Sequence, residues 1–387
     1  MAEPGRPEVF AVAAPGLAPL VAAECEALGL TPAAVTPAGV TLRLSSRELF
    51  RLLCWTRCAS RVLVRLATFS ARDFATLEKR AARVPWRQVV SPGDRVTLRV
   101  TCRKSRLYHS DAVAERVMRG ILGAVPGAAV DHAVADDEED SDPTSPQVIV
   151  VRFDRDICTI SADASGDLLH RRGWRQAVAK APLRETLAAA MLAAIGWDGS
   201  VPLVDPFCGS GTIGIEAALR ARGIAPGLGR TFAMERWPGA DASLFASVRA
   251  EARQVIRPSV GVPIVLRDRD AGAMEAARAN AERAGVLADL ALAVAPVSAL
   301  DLGALGPSGL VLTNPPYGQR VSGGADLRPL FQRLGLLVRE GGPGWSLGLL
   351  MPPEPHLPGQ TGLGFTSLLT TSNGGIPVAL LVGQTRR

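Results

Sequence analysis

The chain has 387 residues, 47% of them hydrophobic and 21% charged, with a formal net charge of +6. That length exceeds what one hydrophobic core sustains, so two or three domains are expected, and the modest positive charge permits a polyanionic partner without requiring one. No run reaches the roughly 18 uninterrupted apolar residues of a membrane span, and "MAEPGRPEVF" at the N-terminus lacks a basic-then-apolar signal pattern, so no membrane partner and a cytoplasmic location are expected.

Residues 1–65 alternate short elements: a strand "VFAVAA", a helix from Gly16 to about Leu28, and a strand "VTLRL". A second α+β unit, 66–165, continues from "RVLVRLATF" through a helix around Phe74 to Ala82, an alternating strand "DRVTLRVTC", a helix from His109 to Leu122, and a hairpin "QVIVVRFDRDICTISA". The acidic run Asp136 to Asp142 is expected to be a solvated loop. Residues 166–181, rich in Arg, Gly and Lys, show no clean period and are expected to be a linker. The six cysteines form no Cys-x-x-Cys pair, so neither a disulfide framework nor a metal site is indicated.

From 182 to 387 the pattern changes. A helix "LRETLAAAMLAAIG" precedes apolar strands ("VPLVD", "PIVLRD", "LALAV", "GLVLTN", "SLGLLM") that alternate with helix-length segments, as a parallel sheet covered on both faces requires. Asn373-Gly374 between two β-rich runs predicts a closing hairpin with an antiparallel strand at the sheet edge.

"DPFCGSGTIGIEAA" follows the first of these strands and opens a helix, which puts Asp205, Phe207, Cys208, Gly209, Ser210, Gly211 and Thr212 at the carboxyl edge of the sheet. The glycine spacing also satisfies a dinucleotide fingerprint, with Glu235 downstream, so a nicotinamide oxidoreductase is one alternative. An acidic strand end suits a ligand bearing an ammonium better, and S-adenosylmethionine carries one, together with a ribose diol and a sulfonium. Asp268, followed by Arg269 at the next strand end, is the candidate for the diol, whereas Asp270 is expected to cap the following helix.

"LTNPPYGQR" ends a later strand in an amide, a rigid diproline and an aromatic ring. Asn314 Oδ1 and the Pro315 carbonyl can each accept an N–H of a planar amine, Pro316 fixes the backbone that aims them, and Tyr317 can stack on a flat substrate. These four are the candidate catalytic residues, with Asn314 also facing the cofactor.

Together "DPFCGSGTIGIEAA", "RDRD" and "NPPYGQR" resemble the motifs of class I methyltransferases acting on exocyclic amines. "FAVAAPGLAPLVAAECEALG", "RKSRLYHSDAVAERV", "LHRRGW" and "APLRETLAAA" are similar to segments of THUMP-domain RNA methyltransferases that make N(2)-methylguanosine, particularly single-catalytic-domain relatives of the large-subunit 23S rRNA enzyme. The resemblance implies an α/β architecture: ferredoxin-like and THUMP domains followed by a Rossmann-like class I methyltransferase domain whose mostly parallel sheet carries an antiparallel C-terminal strand. It also implies cofactor contacts from Pro182 and Thr186, and from the turn at Ser298 and Ala299. Where the family usually has an acidic residue that reads the adenine amine, this chain has Ser298, with Asp301 as the substitute candidate.

Within the THUMP-like unit Arg103, Lys104, Arg106 and His109 form a basic patch for phosphates, and Arg171 and Arg172 beside Trp174 are further RNA candidates. The expected activity is methyl transfer to guanine N(2) in RNA, 23S rRNA ahead of tRNA. Alternatives are methylation of a DNA amine or glutamine and, from another class, a non-catalytic RNA-binding ribosome-assembly factor.

Overall fold

The structure is a computed structural model that describes residues 6–132, 146–176, 183–317, 326–353 and 356–384. The acidic run and Pro182 lie outside the described residues.

The first elements are β1 (Glu8–Ala13), α1 (Ala18–Ala27), β2 (Ala34–Thr36), β3 (Gly39–Arg43), α2 (Ser46–Trp55) and β4 (Ala59–Ser70). Their antiparallel order β2-β3-β1-β4 is that of a ferredoxin-like unit. Helix α2 starts at a capping box: the Ser45 amide donates to Glu48 Oε2 at 2.8 Å while the Glu48 amide donates back to Ser45 Oγ at 3.4 Å.

Next come α3 (Phe74–Ala81), β5 (Arg95–Arg103), α4 (Ser110–Ala124), β6 (Ala129–His132), β7 (Gln147–Asp154) and β8 (Ile157–Asp163). β8 pairs with β4, so both front units share one eight-stranded sheet, β2-β3-β1-β4-β8-β7-β5-β6. The boundary expected at residue 65 falls inside the 12-residue β4, whose residues 59–64 run beside β1 and whose residues 63–70 run along β8.

The second sheet is built from α5 (Glu185–Ile195), β9 (Leu203–Asp205), α6 (Thr212–Ala221), α7 (Ala242–Gln254), β10 (Ile264–Asp268), α8 (Ala271–Arg283), β11 (Leu290–Val294), β12 (Ser308–Thr313), α9 (Arg328–Gly341), β13 (Gly344–Met351), β14 (Gly364–Asn373) and β15 (Ile376–Gln384). Its order is β11-β10-β9-β12-β13-β15-β14. The first five strands are parallel, and β15 pairs antiparallel with both β13 and β14. The order reverses at β9, and the carboxyl edge at such a switch point, here between β9 and β12, is where doubly wound sheets bind ligands.

The two halves meet through a packed seam. Phe50 of α2 sits edge-on to Phe232, 5.6 Å between ring centroids, and against Phe245 of α7 at 4.4 Å. A Cβ on Gly227 would lie 2.7 Å from the Cα of Cys54, and the Gly227 amide donates to the Cys54 carbonyl at 2.9 Å, so backbone meets backbone there.

Residues 166–176 are not a loose connection. Arg172 is only 6% exposed, its guanidinium donating to Glu216 Oε1 at 3.2 Å and to the carbonyls of Leu169 and Arg57 at 2.6 Å each. Arg57 completes the brace, donating to the Ile224 carbonyl at 2.6 Å and facing Glu216 at 3.7 Å. The expectation of RNA contact from Arg172 and Trp174 is thereby corrected: both are buried, and the arginine's charge is spent on α6 and the front domain. Arg171 is half-buried in the same segment.

Candidate functional site

The geometry of the site follows from strand order. β9 lies between β10 and β12, with Leu266 level with Asp205 on one side and Val311 level with Val204 on the other. Three strand ends therefore bring Asp205, Asp268 and Thr313-Asn314 to one edge.

Asp205 is 1% exposed. Its Oδ1 accepts from the Thr313 hydroxyl at 2.6 Å and from the Phe207 amide at 3.2 Å. Burial pushes its carboxyl up to about 7; the Thr313 and Phe207 bonds pull it down, and the charge of Asp268 adds to the rise. Thr313, itself fully buried, is a partner of Asp205 that the sequence did not single out, although it stands next to Asn314 in the quoted motif.

Asp268 is half-buried. Its Oδ2 accepts from the Gly209 amide at 3.0 Å and its Oδ1 from the Asp270 amide at 3.0 Å. Asp270 behaves as expected of a cap, its Oδ1 accepting from the Gly272 and Ala273 amides at 2.8 and 3.3 Å. The neighbouring Arg269 is exposed.

The glycine turn is held from several sides. Gly209 and Gly211 have φ of 51° and 85°, a left-handed region that favours glycine. A Cβ on Gly211 would stand 3.1 Å from that of Ala277 in α8. The Cys208 amide donates to the Arg267 carbonyl at 3.1 Å, the Ser210 carbonyl accepts from Asn280 Nδ2 at 3.2 Å, and the Thr212 hydroxyl accepts from Arg175 at 3.1 Å. Arg175 also pairs with Glu185 at 3.1 Å, next to the buried Thr186 at the start of α5. Burial pushes the Glu185 carboxyl up to about 7, against the pull of Arg175. The Cys208 thiol, raised by burial and by Asp205 and Asp268, stays protonated.

Asn314 is half-buried, and its Oδ1 is shielded, with no hydrogen-bond partner among the described residues. A shielded acceptor left empty in a polar cleft is costly unless a ligand supplies its donor. Pro315 is buried, while Pro316 and Tyr317 are half-buried and Tyr317 packs against two separate apolar clusters. Ser298 and Ala299 occupy an exposed turn after β11, and Asp301 is exposed, its Oδ1 accepting from the Ala304 amide at 3.3 Å. Arg103, Lys104, Arg106 and His109 are all exposed at the far end of β5. Among the described residues no cluster of His, Cys, Asp and Glu is arranged to hold a metal, and no helix is long and apolar enough to cross a membrane.

Glu235, which suggested a dinucleotide ribose ligand, is instead committed to Arg249 at 2.8 and 2.9 Å and to the Phe232 amide at 2.8 Å.

Residues 172–350 match a family described as "RMKL-like, methyltransferase domain", and residues 8–63 match the "RlmL ferredoxin-like domain". The chain is 36% identical over 386 residues to the "Ribosomal RNA large subunit methyltransferase K/L" of Syntrophotalea carbinolica, covering 96% of this chain and 53% of that one. It thus spans about half the length of this relative. It is 30% identical to "Putative RNA methyltransferase slr0064" of Synechocystis, covering 96% of this chain and 95% of the relative. The crystal structure of SMU.472 complexed with SAH superposes with a TM-score of 0.85 at 25% identity over the whole of both chains. With the family matches, the sheet order and a relative covered over 95% of its length in agreement, the chain belongs to the RMKL-like methyltransferase family.

Proposed function

We propose that this chain transfers a methyl group from S-adenosylmethionine to the exocyclic N(2) of a guanosine in RNA, with 23S rRNA as the favoured substrate. The observation that carries the reading is the shielded, unpartnered Asn314 Oδ1, one residue beyond the Thr313 hydroxyl that is bonded to Asp205. The names of the K/L relatives support the ribosomal substrate.

The residues fit the cofactor. Asp205 supplies a buried carboxylate for an ammonium, and Asp268, already oriented by two amides, supplies acceptors for a diol. Gly209 to Thr212 form the turn between them, flanked by Phe207, Cys208 and Thr186, with Arg269, Ser298 and Ala299 at the outer edge. Bound there, S-adenosylmethionine supplies an electrophilic methyl on a sulfonium.

The chain's own residues prepare the nucleophile. A planar amine is poor because its lone pair is delocalised; accepting its two N–H groups at Asn314 Oδ1 and the Pro315 carbonyl turns the lone pair out of that conjugation. Pro316 holds the carbonyl in place and Tyr317 covers one face of the base. The proton leaves as positive charge grows on nitrogen, so no strongly perturbed base is needed. A guanine taken out of a stack costs a few kcal/mol, roughly, which contacts from the THUMP-like unit, at Arg103, Lys104, Arg106 and His109, offset together with Arg171.

Incubation with methyl-labelled S-adenosylmethionine and total RNA, followed by nucleoside digestion, should give labelled N(2)-methylguanosine from the 23S fraction. Label confined to DNA or protein overturns the reading; label in tRNA redirects it; binding of RNA without any label marks an assembly factor.

A further inference from the structure

Among the described residues three non-glycine residues have positive φ: Lys104 at 48°, Arg155 at 50° and Asp156 at 63°. All three lie at one place, where the loop after β5 meets the β7–β8 turn. Arg155 and Asp156 are the two central residues of that hairpin, where a tight turn takes positive φ at both; Lys104 lies outside any such turn, and its left-handed backbone persists because the surrounding structure enforces it.

Here the enforcement is visible. The Arg155 amide donates to the Arg103 carbonyl at 3.2 Å, the Asp156 amide to Ser105 Oγ at 3.0 Å, and the Arg106 amide to Asp156 Oδ1 at 2.8 Å. Ser105 Oγ donates back to the Arg103 carbonyl at 2.9 Å, and Leu107, 5% exposed, pins the loop into the core. The acid at the centre, Asp156, is further paired with Arg72 at 3.3 Å.

What this rigid loop presents is an aromatic pair and cations. Tyr108 is 68% exposed and stacks on the His109 ring, 4.1 Å between centroids and tilted 40°. Arg103, Lys104, Arg106 and Arg155 are exposed around it, as is Ile157. A large aromatic held out into solvent by a strained loop has no packing purpose. Flanked by cations, it offers a π-face to a base and positive charge to the adjoining phosphates.

We propose that Tyr108 and His109 form a stacking platform for an unpaired base of the RNA substrate, with Arg103, Lys104, Arg106 and Arg155 seating the flanking phosphates. The inference rests on the proposed RNA substrate and adds to it the class of RNA element bound: single-stranded nucleotides rather than duplex. A stacked base in a duplex keeps both faces covered by its neighbours, so Tyr108 can engage only one that has been released.

The test uses the full chain and fluorescence anisotropy with a labelled single-stranded RNA oligonucleotide and with the same sequence as a duplex. Tyr108→Ala should weaken single-strand binding about five- to hundredfold, Tyr108→Phe should bind as the parent does, and duplex binding should be the same for all three. The slope of affinity against salt should not change in Tyr108→Ala, because stacking releases no counterions. Equal single-strand affinity for Tyr108→Ala and the parent, an equal loss in Tyr108→Phe, or an equal loss on duplex overturns the platform. In those cases methyl transfer to RNA by the parent chain still stands; a parent chain that neither binds nor methylates RNA removes the broader reading instead.

Discussion

Replacing Thr313 with valine deletes one hydroxyl and little else, since both side chains are β-branched and the site is fully buried in β12. What disappears is the 2.6 Å bond to Asp205. Hydrogen bonds to charged groups are worth about 1.5–3 kcal/mol, and one pH unit of carboxyl shift corresponds to about 1.4 kcal/mol. Asp205, at about 7 with two donors in place, is therefore expected to titrate about one to two pH units higher in Thr313→Val. If Asp205 binds the cofactor's ammonium as a carboxylate, affinity for S-adenosylhomocysteine falls below its midpoint, tending to about tenfold per pH unit. At pH 7.5 the variant should bind roughly three- to twentyfold more weakly than the parent, and by about pH 9 the gap should narrow to twofold or less. Calorimetric titrations over this range, in two buffers of different ionisation enthalpy, report both affinity and protons released. A gap that stays constant with pH, or an unchanged proton count, refutes the coupling between Thr313 and the carboxyl. The stability side has a definite sign. The folded carboxyl lies above its ordinary 3.8, so the native state holds the proton more tightly than the unfolded chain, and this group's contribution erodes as pH rises towards 7. In Thr313→Val the erosion continues to higher pH, so the urea stability difference from the parent grows through neutrality.

Asn314→Ala should lower methyl transfer at least about a hundredfold while S-adenosylhomocysteine affinity stays within about twofold, because the lost acceptor faces the amine; single-turnover kinetics and calorimetry separate the two. Arg172→Met leaves Glu216 buried beside an incomplete brace and should cost about 3–5 kcal/mol in urea unfolding, with no change in the salt dependence of RNA binding. Gly211→Ala forces a side chain into φ of 85° and against Ala277, so it should lose about 1–3 kcal/mol of stability and weaken S-adenosylhomocysteine binding together.

The meeting of the three strand ends was legible in the sequence because each of its parts is local. Asp205 and Asp268 each close an apolar run, the glycines follow at once, and Asn314 ends another such run, so strand ends could be aligned without knowing the register. The capping role of Asp270 was legible for the same reason: a carboxylate just before a helix caps it. Helix α2 was passed over although "SSRE" announces its capping box, and the edge strands β2 and β6, of three and four residues, carry too little pattern to register. Ser298 was singled out by analogy of position, and it stands exposed in the turn after β11. The shared front sheet was out of reach, because the pairing of Leu63 with Asp163 joins residues a hundred positions apart.

Arg172 shows why a cation-rich connection misleads. In sequence, arginines beside a tryptophan look like a surface for phosphates, since arginine is rarely buried unless paired. Its partners are invisible locally: Glu216 sits on the helix opened by the glycine turn, and Arg57 comes from the front domain. One buried carboxylate thereby receives two guanidiniums from two different parts of the chain. Arg230 ties the connection down from its other side, donating to the carbonyls of Asp167, Leu168 and Arg171 at 2.8, 3.1 and 3.1 Å, and Arg175 reaches the Thr212 hydroxyl at the start of α6. The arginines of this connection thus hold the front domains at a fixed position on α6, and a displacement of the front domains would have to break buried charge pairs next to the cofactor turn. Surface cations could not impose that constraint; the exposed cations Arg103, Lys104, Arg106 and Arg155 stand apart from it, at the end of β5, in the loop after it and in the β7–β8 turn.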